Sequence, residues 1–522
     1  MAENELIGDA DGQVGEQELA GFRNRFLLFN AIPSWLVSFV LHIVMILLLA
    51  IIFLPENLNP PISFEVSEVS GQQLDSIDVD LNSLDLTSSQ LDMESIAEPD
   101  QKLSNLPLPE APTEPLQTEA FSDISSQFTP SVSPEASGGG GEMASRSAEN
   151  RSTLGKKFGA TTESEQSVDL ALEWLARHQR EDGSWNFDHS LGAGQRSNQN
   201  TGSYSNCIHG ATALALLPFL GAGNTHHAGP YKDNVAKGLA FLRSQGRMNM
   251  KFTTRGGNQT GEGISWWEIN GEMYSHGLVA IALCEAYAMS GDQSLLESAT
   301  GAIRFIEWAQ DPRGGGWRYD PRSPGDTSVA GWQVMALKSA KMGGIETDEK
   351  TWKMAKKFLD SVSSDYGAFY GYMTKPTEPL GLHKARTAVG LLCRMYMGWE
   401  RENPGLVTGV SWMSEYRPST GTRRNPTGAN MYYNYYATQV MKHYGGEMWN
   451  KWNSEMRDFL VATQDTEGAE RGSWYFAKSD DLSPDAGGRL YCTCMAAMTL
   501  EVYYRFLPLY EKKAVEDDFP LD

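Results

Sequence analysis

The sequence predicts an all-α protein: a repetitive domain of paired helices, carried behind one N-terminal transmembrane helix and a disordered acidic tether. Three observations predict it. Residues 35–53 read WLVSFVLHIVMILLLAIIF, without a formal charge. Residues 55–145 hold seventeen acidic residues, ten prolines and a single base, Lys102. From about Ser164 onward apolar residues recur at helical spacing, and the pattern itself recurs: Gln179, Gln245 and Gln310 are 66 and 65 residues apart.

The anchor comes first. With Leu54 the apolar run reaches twenty residues, enough to cross a hydrocarbon core of roughly 30 Å as a helix. Pro33 precedes it and Pro55 follows it, positions where a helix tolerates or stops at proline. A cleaved signal peptide would have a shorter apolar core followed by small residues; here Pro55-Glu56-Asn57 follows. Arg23 and Arg25 lie before the run, and no Lys or Arg follows until Lys102. The positive-inside rule therefore expects a cytoplasmic N-terminus and an extracytoplasmic or periplasmic main domain. Ser38 and His42 share one face of this helix. An ionisable group in lipid marks a partner contact by default, and a neutral, hydrogen-bonded histidine is the alternative. The segment from Ser34 to His42 resembles the anchor of TonB-type energy-transducing proteins, which implies docking on a membrane motor complex through Ser38 and His42.

The formal net charge of −23 belongs largely to the tether, since residues 146–522 hold 43 acids against 40 bases. A chain of this sign repels phosphate backbones, so no nucleic-acid partner is expected. Ordering residues 55–145 would lose backbone entropy for little apolar burial, so they read as a spacer with a hinge at Gly138 to Gly141. The organisation expected is a cytoplasmic tail over 1–30, an anchor over 31–54, a disordered linker over 55–163, a helical domain over 164–510 and an acidic tail over 511–522.

Six helix pairs follow from the periodicity: 168–179 with 208–220, 235–245 with 274–289, 299–310 with 327–340, 352–362 with 383–399, 406–416 with 431–444, and 452–464 with 489–506. Each exposes an apolar face that a neighbouring pair can bury. Asp182-Gly183 and Gly472-Ser473 supply tight turns. Trp185, Trp317 and Trp474 after them read as structural, their indole N–H groups seeking backbone acceptors.

Gln179-Arg-Glu-Asp-Gly-Ser-Trp185 resembles the QW motif of squalene and hopene cyclases, with looser versions at Gln310…Trp317 and Gln464…Trp474. Residues 325–337 resemble an inner helix of the same superfamily, which includes protein prenyltransferase beta subunits. The resemblance covers about residues 164–510 and implies a six-hairpin α/α toroid, six outer helices around six inner ones. The family's acidic DxDD cluster is represented by Asp326 alone, which reads as a helix N-cap and as a candidate general acid. The stretch from Gly488 to Cys494 is similar to the last inner helix of the zinc prenyltransferases, but a cysteine, Cys492, stands where their histidine ligand would, and no Asp-x-Cys segment accompanies it. His226-His227 lies in a Gly-rich turn with no carboxylate pair beside it in sequence. No cofactor, and no zinc, is expected. The closed ring makes the first and sixth inner helices neighbours, so Cys207 and either Cys492 or Cys494 read as a disulfide or as buried thiols.

Candidate ligand-binding residues are Trp266, Trp267, Glu268, Tyr274, His276, Trp332, Arg386, Tyr432, Tyr433 and Tyr491, aromatic and polar groups where inner helices start or face inward. The function expected is a membrane-anchored binding or scaffolding module for a lipid, peptide or glycan. The alternatives are an isoprenoid cyclase-like enzyme with Asp326 as acid, and a toroid coupled through its anchor to an energy-transducing complex.

Overall fold

The computed structural model describes residues 142–193, 198–376, 384–420, 429–477, 483–507 and 509–510. The expected anchor with Ser38 and His42, most of the acidic linker and the C-terminal tail lie outside the described residues. Among the described residues no helix is long and apolar enough to cross a membrane.

The helices alternate in role along the chain. The outer set is α2 (Thr162–Arg177), α4 (Lys232–Gln245), α6 (Gln293–Ala309), α8 (Glu349–Ser361), α10 (Pro404–Tyr416) and α12 (Gly446–Thr463). The inner set is α3 (Ile208–Gly221), α5 (Glu272–Ser290), α7 (Thr327–Met342), α9 (Lys384–Tyr396), α11 (Met431–Tyr444) and α13 (Ser483–Leu500). α3 packs on α5, α5 on α7, α7 on α9, α9 on α11, α11 on α13, and α13 returns to α3. The inner helices thus close a ring, and each outer helix packs on the inner helix before it, with α2 covering α13 and touching α12. This is the contact pattern of an α/α toroid. The predicted pairs overlap these helices, with ends displaced by a few residues and the last, 489–506, running past the end of α13 at Leu500; they are legible because the two layers have different surroundings. Inner helices are buried nearly all round, as α3 is from His209 to Gly221. Outer helices bury one stripe, as α8 does with Thr351, Trp352, Ala355, Phe358 and Leu359.

Short polar residues set the helix starts. Thr161 and Ser164 form a reciprocal capping box on α2, Asn403 caps α10 ahead of Pro404, and Asn430 caps α11. The connectors carry three short antiparallel ribbons that helical periodicity does not reveal: β1 (Arg247–Met248) with β4 (Ile264–Ser265), β2 (Lys251–Thr254) with β3 (Gly257–Thr260), and β5 (Ser363–Ser364) with β6 (Phe369–Tyr370).

The glutamine–tryptophan segments are braces between pairs. Gln179 Nε2 donates to Gly183 O and to Asn234 O of α4. Gln310 does the same to Gly315 O and Thr351 O, and Gln464 to Gly472 O and Ser167 O. The last brace joins the final pair to the first. Trp185, Trp317 and Trp474 donate their indole N–H to Leu175 O, Ile306 O and Leu460 O at 2.7–2.8 Å. Gly183 (φ 87°) and Gly472 (φ 96°) hold left-handed backbone, and a Cβ there would strike Lys237 O and Leu170 O respectively. The motif needs Gly, Gln and Trp together because turn, bridge and wedge share one seam.

Helical structure is present ahead of residue 164 as well. A 3₁₀ turn (Glu142–Arg146) and α1 (Ala148–Phe158) lie within the stretch expected to be linker. Ser147 caps α1 and left-handed Gly159 ends it. The segment packs against α14 (Val502–Arg505). Trp449 Nε1 donates to Phe158 O, and Lys442 Nζ stands 3.3 Å over the Phe158 ring. Its order comes from these distant partners, since α1 itself is mostly polar. The five cysteines are buried thiols outside any disulfide; Cys207 Sγ lies 3.4 Å from Ile269 O.

Candidate functional site

Every pair runs outer helix then inner helix, so the long outer-to-inner connectors gather at the end where the inner helices begin. The candidate site is at that end, over α7. Asp326 caps α7 through Oδ1, which accepts from Val329 N at 2.9 Å. Its side chain is fully buried, and Oδ2 has no hydrogen-bond partner. Arg318 Nε stands 3.8 Å from Oδ2, an electrostatic contact outside hydrogen-bond range.

Two tyrosines from the connectors cover this carboxyl. Tyr372 is fixed where its carbonyl accepts from Thr327 N at 2.9 Å. Tyr319 is fixed where its carbonyl accepts from Met273 N and from the Trp267 indole. Their hydroxyls are 2.8 Å apart. The Arg318 guanidinium lies 5.0 Å from the Tyr319 ring and 5.8 Å from the Tyr372 ring, while Arg386 of α9 lies 5.1 Å from the Tyr372 ring. Tyr274 of α5 approaches Tyr319 at 6.3 Å between centroids. Below them Trp332 of α7 stacks on Tyr435 of α11 at 5.8 Å and 16°, with Tyr432 and Tyr436 around it. Side chains of α7 and α11, which are not neighbours in the ring, thereby meet and fill its middle.

Burial pushes the Asp326 carboxyl up to about 6, against the Val329 N–H, the Tyr372 hydroxyl and Arg318, which favour the ionised form. Burial and the adjacent Asp326 charge also drive the Tyr372 hydroxyl up, so it stays a neutral donor. The arrangement is a carboxyl that exchanges a proton near pH 6, beneath two linked hydroxyls and two guanidiniums. One consequence is thermodynamic. A carboxyl whose folded pKa exceeds its unfolded value holds more protons when folded, so its contribution to stability is present below about pH 4 and is lost as pH rises through 6. Asp326→Asn keeps the cap and removes that slope. The midpoint of thermal unfolding, followed from pH 4 to 7, is expected to be flatter in the variant by an equivalent of about 2–3 kcal/mol; parallel curves would show that Asp326 is ionised throughout.

The structure brings Asp326, Tyr274, Trp267, Trp332, Arg386 and Tyr432 into this cluster. Other candidates serve the frame. Trp266 donates its indole N–H to Leu242 O, a brace like those of the glutamine–tryptophan segments. Glu268 accepts from His209 N, Gly210 N and Ser275 Oγ at the start of α3. His276 accepts the Trp266 N–H on Nδ1 and donates through Nε2 to Ala302 O; burial pulls it down to about 4, so it is neutral. Tyr433 packs on Trp452 of the outer layer, and Tyr491 lies on α13 beside Gly487. Sequence reasoning missed Arg318, Tyr319 and Tyr372. The signal available was position: Arg318-Tyr319 directly follow the Trp317 brace, and Tyr372 lies two residues after Tyr370.

No protein-family model matches the chain, and no curated protein matches it. Solved structures do. An inactive variant of the α-1,6-mannanase GH76A of Salegentibacter sp. HEL1_6 matches at 12 % identity and TM-score 0.44, covering 65 % of this chain and 99 % of that one. The type II terpene cyclase MstE from Scytonema matches at 13 % and 0.43, covering 66 % and 97 %. An α-amylase from Clostridium perfringens matches at 10 % and 0.41, covering 65 % and 98 %. At these scores the likenesses assign neither a family nor an activity to this chain.

Proposed function

We propose that this chain is a membrane-anchored extracytoplasmic binding module that holds a glycan bearing acidic groups over the Asp326–Tyr372 cluster. The observation that carries the reading is the division of the ring. Its middle is filled by Trp332, Tyr435 and Tyr436, each at most 3 % exposed, while hydroxyls, rings and guanidiniums collect at the connector end. Stacking rings with fixed hydroxyl donors suit sugar faces, and Arg318 and Arg386 suit carboxylates. The outer-to-inner connectors also expose apolar residues, among them Tyr204 and Ile269.

The anchor over residues 35–54 supports the membrane placement through its length, and Arg23 and Arg25 support the orientation. Ser38 and His42 are proposed to face a membrane partner. The cyclase-like reading has one favourable observation, the partnerless Oδ2 of Asp326 with its raised pKa; Asp326→Asn would abolish lipid turnover if it is correct.

Binding of detergent-solubilised full-length protein to a panel of acidic and neutral oligosaccharides tests the main reading. Acidic members are expected to bind, and Arg386→Ala and Tyr372→Ala are each expected to weaken them by about 1–3 kcal/mol. Absence of binding across the panel, or equal binding by both variants, overturns it.

A further inference from the structure

A second cluster of chemically capable side chains lies outside the site just described. His226 and His227 sit in the connector from α3 to α4, and Asp292 sits in the turn from α5 to α6. These are the short connectors, at the opposite end of the ring from Asp326. His226 Nε2 is 2.8 Å from Asp292 Oδ2, and His227 Nε2 is 3.8 Å from the same oxygen. One ligand atom from each residue lies within 4.8 Å of the other two. The two imidazoles are 3.9 Å apart between centroids. Nothing local in the sequence announces this set, because its carboxylate is 66 residues from His226.

We propose that His226, His227 and Asp292 form a binding site for a divalent transition-metal ion of the zinc class. Two imidazoles and a carboxylate are the donors such ions take, and three protein ligands leave a fourth position for water or an external group. Tetrahedral bonds of about 2.0–2.1 Å place ligand atoms roughly 3.3 Å apart. The 2.8 and 3.8 Å separations bracket that spacing, so side-chain shifts of a few tenths of an ångström admit the ion. His227 has the freedom to make them, being 61 % exposed. Asp292 is the fixed partner: its Oδ1 accepts from Ser294 N at 2.8 Å and its Oδ2 from Ser294 Oγ at 2.9 Å, capping α6. Hydrogen bonds of this kind orient a metal-bound carboxylate from behind.

The position gives the ion a consequence. The α3–α4 connector also carries Gly223, which sits against the carbonyl of Arg146. An ion held by His226, His227 and Asp292 ties the connector that receives the N-terminal segment of the fold to the start of α6. It acts as a clamp at the end of the ring where Arg146 meets Gly223, independent of ligand binding at Asp326.

The test uses tag-free full-length protein in detergent, stripped with EDTA and titrated with zinc chloride by calorimetry. Cobalt(II) absorption in the visible range reports coordination geometry. One zinc per chain and a rise in thermal midpoint on binding are expected. His227→Ala and His226→Ala are each expected to weaken zinc at least about tenfold. His227→Ala is the decisive variant, because its exposed ring leaves the metal-free thermal midpoint unchanged. Tyr372→Ala is expected to bind zinc as the natural chain does. Substoichiometric uptake, or natural affinity in His227→Ala, overturns the site.

Discussion

Glu285→Ala is expected to destabilise the fold by about 3–5 kcal/mol. Glu285, on α5, is fully buried, and its Oε2 accepts from Arg146 Nη1 at 2.8 Å and from Arg505 Nη2 at 3.0 Å. Both guanidiniums are also buried. Burial alone would push the Glu285 carboxyl up, but Arg146 and Arg505 together outweigh it and hold it below the usual range. Glu501 is the weaker counter-charge: it lies 3.2 Å from Arg505, but burial pushes its carboxyl up to about 8. Removing Glu285 therefore strands two cations in a water-poor interior, and an uncompensated buried charge is among the costliest single changes. Denaturant unfolding followed by tryptophan fluorescence measures the loss. A change below about 1 kcal/mol would mean that water reaches the cluster. Arg146 comes from the 3₁₀ turn before α1, so this ion network also fastens the N-terminal segment to the ring.

Trp474→Ala is expected to lower stability by about 3–5 kcal/mol. The indole is fully buried, so truncation leaves a cavity where the last pair meets the first, and Leu460 O loses its donor. Trp474→Phe separates the contributions: it retains most of the packing and loses the N–H, and about 1–2 kcal/mol is expected. Because Gln464 bridges the same seam to Ser167 O, the two residues share a structural unit, and Trp474→Ala with Gln464→Ala should lose less than their separate effects add to. Equal losses for the Ala and Phe variants would overturn the cavity account.

The helix pairs and their order were legible from local sequence patterns. Outer helices such as α6 and α8 show a stripe and inner helices such as α3 and α5 show none, and Gly183, Gly472 and their neighbouring glutamines and tryptophans mark the seams between pairs. Those signals are local, read over one helix or one turn. Asp326 was legible for the same reason, since a carboxylate just before an apolar helix is an N-cap whatever else it does. Trp266, Glu268 and His276 show the limit: their residue types suit a ligand site, but only their partners, Leu242 O, Gly210 N and Ala302 O, reveal that their polar atoms are used in the frame. Tertiary structure alone decided that Tyr319 and Tyr372 meet over Asp326, that Arg146 reaches Glu285 and orders residues 142–158, and that Asp292 arrives beside His226 and His227. Each of these joins residues far apart in the chain. Their proximity is set by closure of the ring, a collective outcome of packing twelve helices, and no single stretch of sequence carries it.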